Sequence, residues 1–219
     1  MHFPSELLAY FDKIQSPVYR NRFDVEVHLL NPEEVVTVTD LLAYHPLVES
    51  LEGIVLDDPD TSNHHVYLRR PPFVGHILYL AHADDKRIMF PSLDDFLTAV
   101  DRGLKQGESL YNLHPVCSPL IADQAALCAF IEEDIFRDGD NELALACIPS
   151  LDLNNLSLLT KLATSDDFYL GEAVAMEICK RPTEHLRVIA ELCCQHRHPQ
   201  VTDVGHRALL AIQGRQFVK

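Results

Sequence analysis

Residues 53–100 constrain the fold more than any other part of this chain. They contain four short apolar or alternating runs, each bounded by Asp, Pro, Asn, Gly or a cluster of charges. Runs and boundaries of this kind predict the strands and turns of a small antiparallel meander. Ser92 follows the last run, with Asp95 three residues later, and this spacing predicts the capped start of a helix. We therefore expect a sheet followed directly by a covering helix.

Other local patterns surround this unit. Apolar spacing predicts a helix over residues 4–15, alternation predicts a strand over residues 23–29, and Asn31-Pro32 predicts the start of a second helix. Residues 108–119 contain two prolines and are predicted to form a linker or a strap across the surface. Beyond Asp123 the pattern predicts only helices and short turns, with helices at 124–136, 141–148, 153–164, 169–181, 183–196 and 201–214.

The helical part also repeats at an interval of about 30 residues. Three leucines of the predicted 153–164 helix align with apolar residues 30 positions later, and Leu170 and Ile178 align with Val201 and Leu209 at 31 positions. A repeat of this length, with two helices in each unit, is typical of a HEAT-like solenoid. Unrelated helical hairpins of similar length would align in the same way.

These patterns together predict an α+β fold in two domains. Residues 1–107 would form a small antiparallel meander sheet covered by helices. Residues 120–219 would form an all-α, HEAT-like array of helical hairpins, joined to the first domain by the 108–119 segment.

The net charge of −15 narrows the classes of partner. Such a chain repels phosphates, so we expect no nucleic acid partner, whereas a basic protein would be attracted. Residues 123–177 hold twelve acidic and two basic residues, which is a net charge of −10. This acidity fits either a docking patch for a basic protein or a solvated face that only keeps the chain soluble.

Residues 57–65 hold the residue types of a metal or catalytic site, but not the spacing. Adjacent histidines on a strand, here His64 and His65, point to opposite faces and do not easily bind one ion. The nearby aspartates lack the pattern of a calcium loop. Ser62 could combine with a histidine and Asp57 as a triad, but no motif positions it, and no glycine-rich phosphate loop is present. We therefore expect no enzyme activity, no metal and no cofactor.

The sequence shows no membrane or export signal. The first residues lack a basic region followed by an apolar one, and no uninterrupted apolar run approaches about 18 residues. All six cysteines lie in the second half without a Cys-x-x-Cys pair, as expected for small buried hydrophobes in a reducing compartment. We therefore expect a cytoplasmic protein with no membrane partner.

Several segments of the meander resemble those of a known superfamily. They are Leu56-Asp-Asp-Pro, Ser62-Asn-His-His-Val-Tyr, Pro71-Pro, Gly75-His-Ile-Leu-Tyr-Leu and Arg87-Ile-Met-Phe-Pro-Ser-Leu-Asp-Asp-Phe-Leu. In this order, over about residues 20–105, they resemble the SUKH superfamily, which contains the fungal cell-wall-synthesis regulator and many bacterial immunity proteins.

The resemblance implies an α+β fold and a role in binding proteins. We expect a non-enzymatic immunity protein that binds and occludes a toxin from a competing cell, with a basic toxin domain as the partner. The alternatives are a cytosolic adaptor or regulatory scaffold of the cell-wall-synthesis-regulator type and, third, a hydrolase. We expect partner contacts at Asp57, Asp58, Asp60, His64, His65, Asp84 and Asp85, and second at an acidic rim of Glu132, Glu133, Asp134 and Asp138.

Overall fold

The meander predicted from residues 53–100 is present in the computed structural model. Four antiparallel strands pair in the order β1-β2-β3-β4. Their bounds are β1 (Ile54–Val55), β2 (His64–Tyr67), β3 (Ile77–Leu80) and β4 (Arg87–Phe90). Every residue of β2 and β3 is buried, so both faces of these central strands are covered.

The structure describes residues 3–82, 86–135 and 141–216. The chain divides into two units, residues 1–119 and residues 120–219. We call them the first and the second unit. The chain has the predicted α+β class with a helical C-terminal region.

Four helices accompany the sheet in the first unit: α1 (Ser5–Lys13), α2 (Pro32–Leu42), α3 (Pro46–Ser50) and α4 (Leu93–Gln106). The start of α2 is a complete capping box between Asn31 and Glu34. Ser92 caps α4, which ends at Gly107 with a φ of 67°, a conformation that glycine adopts without strain. These local signals explain why both helices begin where the sequence predicts.

The predicted strand over residues 23–29 is wrong. Phe23–Val25 forms a short 3₁₀ turn, and the backbones of Arg22 and Val27 bond to each other on either side of it, at 2.8 and 2.9 Å. Val25, Val27 and Leu29 are buried as an extended strand would bury them, whereas Phe23 is 46% exposed. A tight reversal can bury the same residues, so alternation alone did not distinguish it from a strand.

The segment 108–119 is a strap that packs as part of the first unit. It contains a 3₁₀ turn over Leu110–Leu113, whose two leucines are buried. The side chain of Arg87 in β4 donates to the carbonyl of Pro115 and to the hydroxyl of Ser118. The strap is therefore held to the sheet by both apolar burial and hydrogen bonds.

The second unit is built from helices throughout its described part. They are α5 (Gln124–Ile135), α6 (Glu142–Cys147), α7 (Leu156–Ala163), α8 (Phe168–Lys180), α9 (Arg187–Cys194) and α10 (Pro199–Gln216). The helices of the α7–α8 hairpin start 31 residues before those of the α9–α10 hairpin, which agrees with a repeat of about 30 residues.

Contacts at the same interval join the turns of these two hairpins. His196 Nε2 bonds to the carbonyl of Ser165 at 2.9 Å, and Arg197 pairs with Asp166 at 2.8 Å. The rings of Phe168 and His198 stack with their centroids 3.8 Å apart. Each residue therefore contacts a residue about one repeat away, as in a stacked array of hairpins.

Arg181 ties α8 to the preceding turn and holds a buried carboxylate. It donates to the carbonyls of Leu151 and Pro149, at 2.6 and 3.2 Å, and to the carboxylate of Glu177 at 2.7 Å. Glu177 is buried and also pairs with Lys180 at 2.7 Å. Arg181 therefore balances the buried charge of Glu177 and supplies hydrogen bonds to two carbonyls of the preceding turn.

We expect Arg181→Ala to lower the free energy of unfolding by about 3 kcal/mol, because it leaves the Glu177 carboxylate buried with one cation fewer. Urea unfolding followed by circular dichroism measures this change. The double variant Glu177→Met/Arg181→Met should recover part of the loss, because it removes the buried charge as well. Arg187→Ala, which breaks the exposed pair with Glu184, is the control and should leave the unfolding midpoint unchanged. Equal effects of the two arginine variants would contradict this account.

Candidate functional site

Asp57 organises the loop between β1 and β2. Its carboxylate accepts from the backbone N–H of His65 and pairs with His65 Nδ1, each at 2.6 Å. Its carbonyl accepts from His64 Nδ1 at 2.9 Å. The side chain of Asp57 is fully buried, so these bonds replace the water that an exposed carboxylate would bind. One residue therefore orients both histidines of β2.

His65 extends this cluster to the strap. Its Nε2 lies 3.0 Å from Nε2 of His114, the residue after the Leu110–Leu113 turn. The rings of Tyr79, Phe90 and Phe96 lie within 4.8–6.1 Å of the His65 ring, centroid to centroid. Asp57, His65 and His114 therefore form a chain of polar groups within an aromatic environment.

The direction of the hydrogen bond between the rings of His65 and His114 depends on which nitrogens carry a hydrogen. A neutral His65 that donates from Nδ1 accepts at Nε2, so His114 donates. A protonated His65 donates from both nitrogens, and His114 then accepts. Burial, the charge of His65 and the charge of Arg87 lower the pKa of His114 to about 3. His114 is therefore neutral at neutral pH in the folded protein.

Asp57, His65 and His114 do not form a catalytic triad with Ser62 in the described structure. The cavity next to them has a volume of about 20 Å³, which is room for a water molecule and not for a substrate. Ser62 instead lines a separate groove together with His64. Within the described residues, Ser62 makes no hydrogen bond to either histidine. The residue types of the triad are present, but the fold separates them.

Three of the residues expected to contact a partner lie inside the first unit. Asp57, His64 and His65 are 0%, 9% and 4% exposed, so the expectation of an exposed loop is wrong for them. The reason is that β2 begins at His64 and is covered on both faces. Asp58 is half-buried and Asp60 is exposed. Asp84 and Asp85 lie outside the described residues.

A groove of about 500 Å³ opens beside this loop. Val38 and Leu42 of α2 line it together with Leu80 and Ala81, of which the last two are buried. Leu41 and Tyr44 also line the groove and are 68% and 77% exposed. We call this feature the α2 groove. Exposed apolar side chains are ordinary when they are scattered singly, but a group of them beside a groove marks a candidate binding surface.

Polar groups of the α2 groove include an acceptor and a carboxylate. His64 uses Nδ1 to donate to Asp57, which leaves Nε2 as an acceptor without a hydrogen-bond partner in the part of the chain described. The Asp58 carboxylate also makes no hydrogen bond or ion pair to a described residue. His45, His82 and Lys86 complete the polar lining.

The predicted acidic rim of the second unit is only partly exposed. Asp134 is buried, and its carboxylate accepts from the backbone N–H of Ala144 at 2.8 Å, at the start of α6. Its role is to satisfy a helix end, so exposure was wrongly expected. Glu132 pairs with Lys161 at 2.6 Å, and Glu133 is exposed. Asp138 lies outside the described residues.

The described thiols and histidines do not gather into a metal site. Within residues 3–82, 86–135 and 141–216, no three His, Cys, Asp or Glu side chains are placed to hold a metal ion. Cys194 lies 3.4 Å from His206 Nδ1, and burial is the main cause that raises the pKa of Cys194. Burial also raises the pKa of Cys193 to about 12. These thiols are therefore kept in the protonated form.

His114 is the residue of this region that the sequence did not single out. It lies 49 positions from His65, in a segment without helix or strand periodicity. The two prolines of the strap predicted an extended backbone, but they did not predict which residues the strap would contact. Only the packing of the strap on the sheet brings the two rings together.

Comparison with protein-family models, curated proteins and solved structures finds no match to this chain. The SUKH resemblance therefore stays a prediction. Among the described residues, no helix has both the length and the apolar character that crossing a membrane requires.

We expect the low pKa of His114 to make the protein lose stability in mild acid. The unfolded state binds a proton near pH 6.5 and the folded state only near pH 3, so stability falls as the pH drops through this window. Between pH 7 and pH 5 this group should account for about 2 kcal/mol of the unfolding free energy.

Urea titrations at pH 7, 6 and 5 test this expectation. His114→Gln should reduce the pH dependence by about that amount, whereas His206→Gln controls for the loss of an exposed histidine. A pH dependence in His114→Gln equal to that of the wild type would show that His114 does not titrate as described.

Proposed function

We propose that this chain is a non-enzymatic protein-binding module that acts as an immunity protein. It would neutralise a toxin from a competing cell by binding and occluding it in the cytoplasm. The observation that carries the proposal is the α2 groove, where two exposed apolar side chains, Leu41 and Tyr44, lie with the Asp58 carboxylate, which has no partner among the described residues. Apolar anchors among polar groups are typical of protein-binding surfaces.

Charge supports a basic partner. The first unit has 9 basic and 18 acidic residues, a net charge of −9 within a chain of −15. Such a field attracts a basic protein and accelerates its encounter, and it repels nucleic acid. A toxin with a basic cleft would meet this requirement. The SUKH resemblance, which implies immunity proteins, is in line with it.

The buried position of Asp57 and His65 supports binding rather than catalysis. These two residues form the pair that a triad would need, yet His65 turns its second nitrogen to His114. A nucleophile would have to displace His114 to bond to this nitrogen. The residues that remain accessible near the loop, Asp58 and Asp60, are suited to electrostatic contacts.

The second candidate function is a cytosolic adaptor or regulatory scaffold of the cell-wall-synthesis-regulator type. The observation that favours it is the stacking of hairpins in the second unit, with contacts about 31 residues apart. Arrays of this kind present extended surfaces that can carry several partners. An adaptor would retain its partners when the α2 groove is altered.

Co-expression with toxins encoded beside the gene of this chain tests the proposal. The wild-type chain should restore growth and form a complex that weakens at least about tenfold between 50 and 300 mM salt. The variant Leu41→Ser/Tyr44→Ser should weaken binding by about 30-fold, because it removes two apolar anchors.

The control is Leu210→Ser, which alters an exposed leucine of the second unit and should bind within about twofold of the wild type. Both side chains of the groove variant are exposed, so its thermal unfolding should match that of the wild type. The proposal would be abandoned if no such toxin bound. Binding that survived the groove variant would favour the adaptor.

A further inference from the structure

The α2 groove contains a hydrogen-bond acceptor in a fixed orientation. His64 is about nine-tenths buried, and its bond from Nδ1 to the Asp57 carbonyl fixes the ring. Nε2 then carries a lone pair and has no partner within the described residues. Leu80 and Ala81, which are buried, also line the groove, so a donor placed here would bond to His64 beside apolar surface.

The remaining polar groups of the groove restrict what such a donor can be. Asp58 adds a carboxylate that no described residue pairs with, so a cation is favoured over an anion. Lys86 brings one positive charge to the same groove, and His45 and His82 are the other titratable side chains that line it. His45 already accepts the backbone N–H of Leu47. The ligand must therefore bring donors, and it must place its charge toward Asp58 and not toward Lys86.

Apolar surface at the groove adds a third requirement. Tyr44 offers an exposed aromatic ring, and Leu41, Leu42 and Val38 offer aliphatic surface. A ligand that only carried charge would leave this surface uncovered. The occupant should combine an apolar stem, a flat cation and several N–H donors.

We propose that the α2 groove binds an arginine side chain of a basic protein partner. Its guanidinium group has N–H donors for both His64 Nε2 and the Asp58 carboxylate, and no acceptor. Its flat face can stack on Tyr44, and its methylene groups can cover Leu41 and Leu42. A lysine has the positive charge, but its ammonium group has no flat face and cannot direct N–H donors at two acceptors in the fixed geometry of a guanidinium group. This inference rests on the proposed protein-binding function and specifies the chemistry of its interface.

Titration of the full chain with Nα-acetyl-arginine methylamide tests the groove without any protein partner. Imidazole nitrogen resonances followed by NMR should show His64 Nε2 accepting a hydrogen bond, with a dissociation constant of about 1 mM. The citrulline analogue is uncharged but similar in shape, and it should bind at least about tenfold more weakly. The lysine analogue should also bind more weakly than arginine.

Variants of charged side chains in the groove give a signed test. Asp58→Asn should weaken arginine binding about tenfold, and Lys86→Met should strengthen it about threefold by removing a repulsion. Asp60→Asn is the matched control, since Asp60 lies in the same loop outside the groove and its φ of 60° suits asparagine. It should leave the affinity within about twofold.

Equal binding of arginine and citrulline, or equal effects of Asp58→Asn and Asp60→Asn, would overturn the inference. Stronger binding of lysine would assign the groove to an ammonium group instead. If arginine binds as described while no toxin is neutralised, the groove chemistry stands and the proposed function fails. If a toxin binds through Leu41 and Tyr44 but arginine does not, the function stands and this inference fails.

Discussion

The first unit depends on the hydrogen bonds of the buried Asp57 carboxylate. A buried carboxylate needs hydrogen-bond donors in place of water. His65 supplies two of them, its backbone N–H and its ring Nδ1. The carbonyl of the same residue holds His64. Asp57 therefore turns one histidine toward the aromatic cluster and fixes the other at the α2 groove. The buried polar cluster and the α2 groove therefore both depend on hydrogen bonds to Asp57.

The strap makes that interior possible. Leu110 and Leu113 are buried, and the following residue, His114, meets the outer nitrogen of His65. Arg87 bonds to the strap and also contributes to the low pKa of His114. A segment without regular secondary structure therefore completes the hydrogen bonds of a strand that lies 49 residues away.

The second unit is held together in a different way. Its turns bond to turns about one repeat away, through Ser165 with His196 and through Asp166 with Arg197. The buried carboxylate of Glu177 there has partners close in sequence, Lys180 and Arg181. Stability is thus distributed over neighbouring hairpins, whereas the first unit relies on contacts between residues distant in sequence.

Local structure could be predicted from the order of the residues: four strands from their boundaries, helix starts from the caps at Asn31 and Ser92, and the six helices described beyond Asp123. These features depend on periodicity and on spacings of a few residues. The inward orientation of Asp57 and His65, the reversal of residues 23–29 and the contact of His114 with His65 all come from packing between distant parts of the chain. Burial depends on such distant neighbours, so a local pattern cannot encode it: an aspartate in a turn is expected at the surface until a strand and a strap supply the bonds that water would make.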